Sequence, residues 1–152
     1  MLAVGSPAPA FALASASGET VRLADLKGRQ VVVYFYPKDD TPGCTKQACG
    51  IRDAWDAFTA TGAAVLGVSP DGQASHERFR AKLELPFTLL SDPNHAVAEA
   101  YGAWGEKSMY GKKYMGIVRS TVVIGADGKV KAVFPKVKPD AHARQVLDVL
   151  EA

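Results

Sequence analysis

Cysteine is scarce in this chain of 152 residues: only Cys44 and Cys49 occur, both inside the stretch YPKDDTPGCTKQACG at residues 36 to 50. Two thiols cannot build the multi-bridge framework that staples small secreted domains. Nor do they fill a structural zinc site, which takes four ligands at a different spacing. Histidine is also rare. His76, His95 and His142 stand singly and far apart, the pattern of surface or locally bonded rings rather than a ligand set, so no metal and no cofactor is expected. Charge of one sign is missing too. Eighteen Lys and Arg against sixteen Asp and Glu leave a net charge of +2, too little to point to a nucleic-acid or membrane-surface partner. The nearest thing to a basic run, Lys136 to Lys138, is broken by Val137. No apolar stretch approaches a membrane span. MLAVGSPAPAFAL lacks a charged n-region and is interrupted by Pro7 and Pro9, so it is not expected to act as a signal peptide. The expected location is the cytoplasm, where a permanent structural disulfide is not expected.

What is present suits one domain over residues 1–152, long enough to bury a real core, with 47% hydrophobic and 22% charged residues. No repeat, low-complexity tract or linker divides it. Phe11 to Gly28 alternates apolar and polar residues around Ser17-Gly18, which predicts a short hairpin. QVVVYFY from Gln30 to Tyr36 is a β-branched and aromatic run suited to a strand buried on both faces. A helical period follows, then a second buried strand at residues 63–69. Residues 73–84 read as an exposed helix and His95 to Tyr101 as a short one. Residues 121–124 and 129–134, joined by Ala126-Asp127-Gly128, form a late hairpin, and Pro139 opens a last helix. Strand–helix–strand alternation followed by a hairpin and a helix predicts an α/β domain with a mixed sheet. Gly102 to Arg119 shows no clear period and reads as a functional loop or an unidentified element.

The helix that carries the thiols starts well. Thr41 is suited to cap it, and Pro42 is shaped for the first helical position. Cys44 then falls at the third position. There, unpaired N–H groups and the positive end of the helix dipole favour an anion, so a lowered thiol pKa is expected. Cys44, Ala48, Ile51, Trp55 and Phe58 recur at helical steps and share one apolar face. Cys49 lies roughly 140° away around the axis, with the two Cα atoms roughly 8–9 Å apart at about 1.5 Å rise per residue. A disulfide needs about 7 Å or less, so an intact helix cannot join them. Gly43 and Gly50 flank the pair, and each costs a helix on the order of 1 kcal/mol relative to Ala. The first turns are therefore cheap to open. On local physics alone, the two cysteines are either buried packing residues or a reactive pair.

The string Pro37-Lys38-Asp39-Asp40-Thr41-Pro42-Gly43-Cys44 resembles the Pro-x-x-x-Thr-x-x-Cys signature of the peroxiredoxins. TPGCTKQACG, from Thr41 to Gly50, resembles their peroxiredoxin Q branch, also called bacterioferritin comigratory protein. The resemblance continues through GSPAPAF at residues 5–11, DLKG at 25–28, WGEKSMYGKKYMGIVRST at 104–121 and the turn near Gly128. It implies a thioredoxin-like fold, a mixed central sheet flanked by helices with an N-terminal β-hairpin, and thiol peroxidase activity on hydrogen peroxide and organic hydroperoxides. By the same resemblance, Cys44 is the peroxidatic cysteine and Cys49 the resolving one. Thr41 supplies a hydroxyl to thiolate and peroxide, Pro37 shields the site, and Arg119 completes it.

On this reading Cys44 becomes a sulfenic acid and condenses with Cys49, and thioredoxin or a similar dithiol protein reduces the disulfide. A resolving thiol in the same chain removes the chemical need for a dimer, so a monomer is expected. The chain shows neither a C-terminal arm nor a Gly-Gly-Leu-Gly loop, which suggests resistance to overoxidation. Trp104, Tyr110, Tyr114 and Met115 are expected either to line an apolar patch near the site or to pack as ordinary loop residues. Gln47 is a further polar residue of the same helix, a candidate to assist the site. Two other readings compete. A thiol–disulfide reductase normally carries Cys-x-x-Cys at this helix, and the spacing here is longer. A peroxide-responsive sensor would bind a partner in one redox form, with turnover incidental.

Overall fold

The computed structural model describes residues 2–152. Its elements run β1 (Ala12–Ser15), β2 (Thr20–Arg22), a 3-10 turn (Leu23–Leu26), β3 (Val31–Phe35), α1 (Pro42–Asp53), α2 (Trp55–Ala60), β4 (Ala64–Ser69) and α3 (Gln73–Leu83). They continue through β5 (Thr88–Ser91), α4 (Ala96–Ala100), β6 (Trp104–Met109), β7 (Lys112–Ile117), β8 (Ser120–Ile124), β9 (Val130–Phe134) and α5 (His142–Glu151). Seven strands form one sheet in the order β2-β1-β5-β4-β3-β8-β9. β3, β4 and β5 pair in parallel, whereas β1, β8 and β9 join antiparallel. This is the mixed, thioredoxin-like sheet expected, with the N-terminal hairpin β1–β2 on one flank. No helix among the described residues is long and apolar enough to cross a membrane.

The central strand is buried on both sides because its residues are apolar in both phases of the pleat. Val32, Tyr34 and Tyr36 face α1, α2 and α5, in one core with Cys44, Ala48, Ile51, Phe58, Val146 and Leu147. Val31, Val33 and Phe35 face the other way, against Leu90, Ala98, Tyr101 and Ile124. Gly67 on β4 is needed for this packing: a Cβ there would lie 2.8 Å from the Tyr34 ring and 2.9 Å from Leu89. The N-terminal end of α1 is thereby set on the carboxyl end of β3.

Several elements differ from the sequence expectation. Residues 102–119 are mostly a β-hairpin, β6 and β7, paired from Trp104↔Ile117 outward as a separate two-stranded sheet. Its alternation is hidden in the sequence because β7 is exposed along most of its length. Tyr110 (φ 52) and Gly111 (φ 77) turn it. α5 begins at His142, not at Pro139. The helical run after Cys44 breaks at Ala54 into α1 and α2, although its apolar stripe carries on to Phe58. His76 and His142 are not surface rings: both are fully buried. His95 is half-buried and stacks on Trp104, with ring centroids 3.6 Å apart.

Candidate active site

α1 starts as the sequence predicts, with Thr41 at the N-cap and Pro42 in the first turn. The Thr41 hydroxyl does not cap it. It donates instead to the Lys38 carbonyl (2.9 Å), tying the loop before the helix to its own first turn. Cys44, 2% exposed, sits in the first turn with its side chain toward the core. Arg119, in the link between β7 and β8, reaches across to it. Arg119 Nη2 donates to Cys44 Sγ at 3.2 Å and Nη1 donates to Gln47 Oε1 at 2.6 Å. This fork uses the planar, always-charged geometry that lysine lacks. Its approach also explains Gly43, where a Cβ would lie 3.1 Å from Arg119 Nη2. Gly43 thus leaves room for the guanidinium as well as weakening the helix.

Gln47 is fully buried three residues after Cys44, one turn on and on the same side of α1. Its amide donates to His142 Nδ1 at 3.2 Å, and His142 Nε2 donates to Thr121 Oγ1 at 2.7 Å. Burial, followed by the positive charge of Arg119, lowers the His142 pKa to about 4. The ring is therefore neutral near pH 7, consistent with an accepting Nδ1 and a donating Nε2. Burial and then the Cys44 sulfur push the Tyr34 phenol upward, and its hydroxyl has no hydrogen-bond partner among the described residues. From the β6–β7 hairpin, Lys107 enters the same field: burial first, then Arg119, lower its pKa, and Cys44 opposes them.

A second buried network holds the loop that Pro37 opens. The Asp39 carboxylate accepts from Tyr36 OH (2.6 Å), Ser75 OH (2.8 Å) and His76 Nδ1 (2.7 Å). His76 Nε2 donates to the Leu90 carbonyl at 2.9 Å, so both ring nitrogens act as donors. Asp39 N–H donates to Asp71 Oδ2 at 2.7 Å, which also accepts from Ser69 OH at 2.7 Å. Burial pushes the Asp39 pKa up, but the donors from His76, Tyr36 and Ser75 outweigh it and the net shift is downward. Asp39, Asp71 and His76 have ligand atoms within 4.8 Å of one another, yet protein donors and acceptors already occupy them.

The structure thus brings Cys44, Thr41, Pro37 and Arg119 to one end of the sheet. Cys49 is half-buried on another side of an unbroken α1, and both cysteines are free thiols. The four residues considered for an apolar patch do not come together. Trp104 lies at the base of the hairpin on His95, while Tyr110, 98% exposed, stands at its tip. Gln47, a candidate to assist the site, does reach it, through Arg119 Nη1. The roles of His76, Lys107 and His142 were not foreseen, because each depends on contacts across tens of residues.

The AhpC/TSA family matches residues 4–133 of this chain. Peroxiredoxin Bcp of Escherichia coli (strain K12) is 49% identical over 150 residues, covering 99% of this chain and 96% of its own. Peroxiredoxin Bcp of Bacillus subtilis (strain 168) is 46% identical over 148 residues, covering 97% and 94%. Among solved structures, the bacterioferritin comigratory protein of Xanthomonas campestris, described for its alkyl peroxide reduction activity, aligns with a TM-score of 0.88 at 39% identity, covering 93% of this chain and 90% of that one. A cysteine-to-serine mutant of Xylella fastidiosa PrxQ aligns with a TM-score of 0.93 at 32% identity, covering 99% and 96%.

Proposed function

Because the chain belongs to the AhpC/TSA family, in its peroxiredoxin Q branch, and is a thiol-dependent peroxidase, we propose that Cys44 reduces hydrogen peroxide and organic hydroperoxides and that Cys49 resolves the product. The observation that supports this most directly is the Arg119 guanidinium donating to Cys44 Sγ at the first turn of α1. The Cys44 thiolate attacks one peroxide oxygen. The O–O bond breaks, Cys44 becomes a sulfenic acid, and the other oxygen leaves, protonated, as water or an alcohol. Arg119 is aimed where negative charge sits on sulfur and develops along the breaking bond, an electrostatic contribution that needs no reorganisation. By the family resemblance, Thr41 supplies a hydroxyl to thiolate and peroxide, and Pro37 shields the entrance from water.

The Cys49 thiol then condenses with the sulfenic acid, forming the S–S bond and releasing water. On the helical geometry above, this requires the first turns of α1 to unwind. Thioredoxin or a similar dithiol protein reduces the disulfide, becoming oxidised itself. We place this cycle in a monomer and in the cytoplasm, where such dithiols are kept reduced. Intact-mass analysis and peptide mapping after one equivalent of hydrogen peroxide test the two thiols. The expected products are a Cys44–Cys49 disulfide in the wild type and a sulfenic acid held at Cys44 in Cys49→Ser. A wild type that stops at sulfenic acid would rule out the two-thiol cycle.

Gly50→Ala addresses the opening step. Among the described residues a Cβ there meets only Ala143, at 3.9 Å, so the change fits the closed helix and stiffens it by up to about 1 kcal/mol. Disulfide formation should slow by about fivefold, and sulfinic acid at Cys44 should accumulate under repeated peroxide. Equal sulfinic acid in mutant and parent by mass spectrometry would contradict this.

A further inference from the structure

We propose that His142 is a positioning residue for the peroxide reaction: as a neutral ring it fixes, through Gln47, the guanidinium that faces Cys44, and a proton on Nδ1 releases it. The inference rests on the peroxidase reading above. Its starting point is that Gln47 is buried between two partners with opposite demands. Arg119 Nη1 can only donate, so it requires Gln47 Oε1. The other end of the amide can only donate, so it requires an acceptor, and the neighbour is His142 Nδ1. Nδ1 accepts only while the ring proton stays on Nε2, and Thr121 Oγ1, at 2.7 Å from Nε2, is placed to accept that proton.

The bonds therefore run in one direction, from Arg119 through Gln47 and His142 to Thr121, and tie α1, α5 and β8 to the thiol. A second proton on His142 sets two donors against each other. The amide can regain its bond to His142 only by turning over, which points its NH2 group at Arg119. Protonated His142 and a seated Arg119 thus exclude one another.

The surroundings favour the neutral ring. Tyr34 from β3 packs edge-on at 5.5 Å, Gln47 comes from α1, Thr121 from β8, and the positive charge of Arg119 opposes a charged ring. On its own helix, Arg144 pairs with Asp148 and Glu151 at the exposed surface. No carboxylate among the described residues hydrogen-bonds the ring. Since the folded value, about 4, lies below the ordinary 6.5, the charged form appears only as pH falls toward about 4, and Arg119 is held in place above that.

The test is a double-mutant cycle with an NMR titration. Sulfenic acid formation is followed in single turnover at pH 7, in a Cys49→Ser background that isolates the first step. His142→Phe keeps a flat ring but removes the acceptor, and it should slow the step about tenfold, the weight of one buried hydrogen bond. With Gln47→Glu, both side-chain oxygens accept, so Arg119 no longer needs His142 for orientation. In that background His142→Phe should change the rate by less than about twofold. Independently, Gln47→Glu should raise the His142 titration from about 4 to its ordinary value or above, because Nδ1–H then meets an acceptor.

Equal losses in both backgrounds would show a purely structural ring and overturn the inference. So would a His142 titration that stays near 4 in Gln47→Glu, a measurement that does not depend on whether His142→Phe folds. A Cys49→Ser parent that forms no sulfenic acid would instead overturn the peroxidase reading itself.

Discussion

Arg119→Met is expected to slow the reaction of Cys44 with hydrogen peroxide by about 10²–10³-fold, the cost of removing one preorganised donor from a charge-developing site. Methionine keeps much of the length and apolar bulk of the side chain, so the link between β7 and β8 should hold its course. It removes both branches of the fork: the 3.2 Å bond to Cys44 Sγ and the 2.6 Å bond to Gln47 Oε1. Arg119→Lys separates charge from geometry. An ammonium restores the positive charge but cannot reach both acceptors in one plane, so it should recover only part of the loss. Stopped-flow kinetics under single turnover reads the step directly. Arg119→Met reacting within threefold of the parent would remove Arg119 from the mechanism.

Asp39→Ala should destabilise the protein by about 3–5 kcal/mol in urea denaturation, the range for breaking one partner out of a buried ion pair. Asp39 is 6% exposed and His76 fully buried. The substitution strips the acceptor from Tyr36, Ser75 and His76 together. Asp39→Asn should cost less, because its carbonyl still accepts from Tyr36 and its NH2 can donate to a neutral His76. The Asp39 pKa is lowered in the folded protein. Its stabilising share is therefore complete above the unfolded value of about 3.9 and is lost as pH falls through the lower folded value. A loss below about 1 kcal/mol for Asp39→Ala would mean that the network is not an anchor. The consequence reaches the site, since Asp39 lies between Pro37 and Thr41, and Asp40 beside it holds a positive φ of 59°.

Strongly periodic features were legible in the sequence. The β3 run and the Cys44–Phe58 stripe are long and apolar, and the structure buries them as that pattern requires. The start of α1 was legible because Thr-Pro is a local signal. The β6–β7 hairpin was not, since a ribbon exposed along one strand carries no apolar alternation to read. The histidines escaped for the opposite reason. His76 and His142 look polar in isolation, and their burial depends on acceptors 37 and 21 residues away in the chain. Arg119 shows the same limit within the site. Local residues cannot distinguish it from a surface charge, and only the family signature assigned it a role before the structure placed it on Cys44.

The order of the sheet also bears on colloidal behaviour. In the proposed cycle each opening of α1 uncovers the apolar stripe beneath it, and such moments invite association between molecules. Exposed strand edges would compound the hazard by offering unpaired backbone to a neighbour. Here one edge, β2, is only three residues long. The other, β9, is covered at its start by the N-terminal segment, through Gly5 N–H to the Val130 carbonyl and Val130 N–H to the Ser6 carbonyl, each 2.8 Å. Within the seven-stranded sheet, less ladder is therefore left open for intermolecular pairing at the moment when the proposed cycle opens α1.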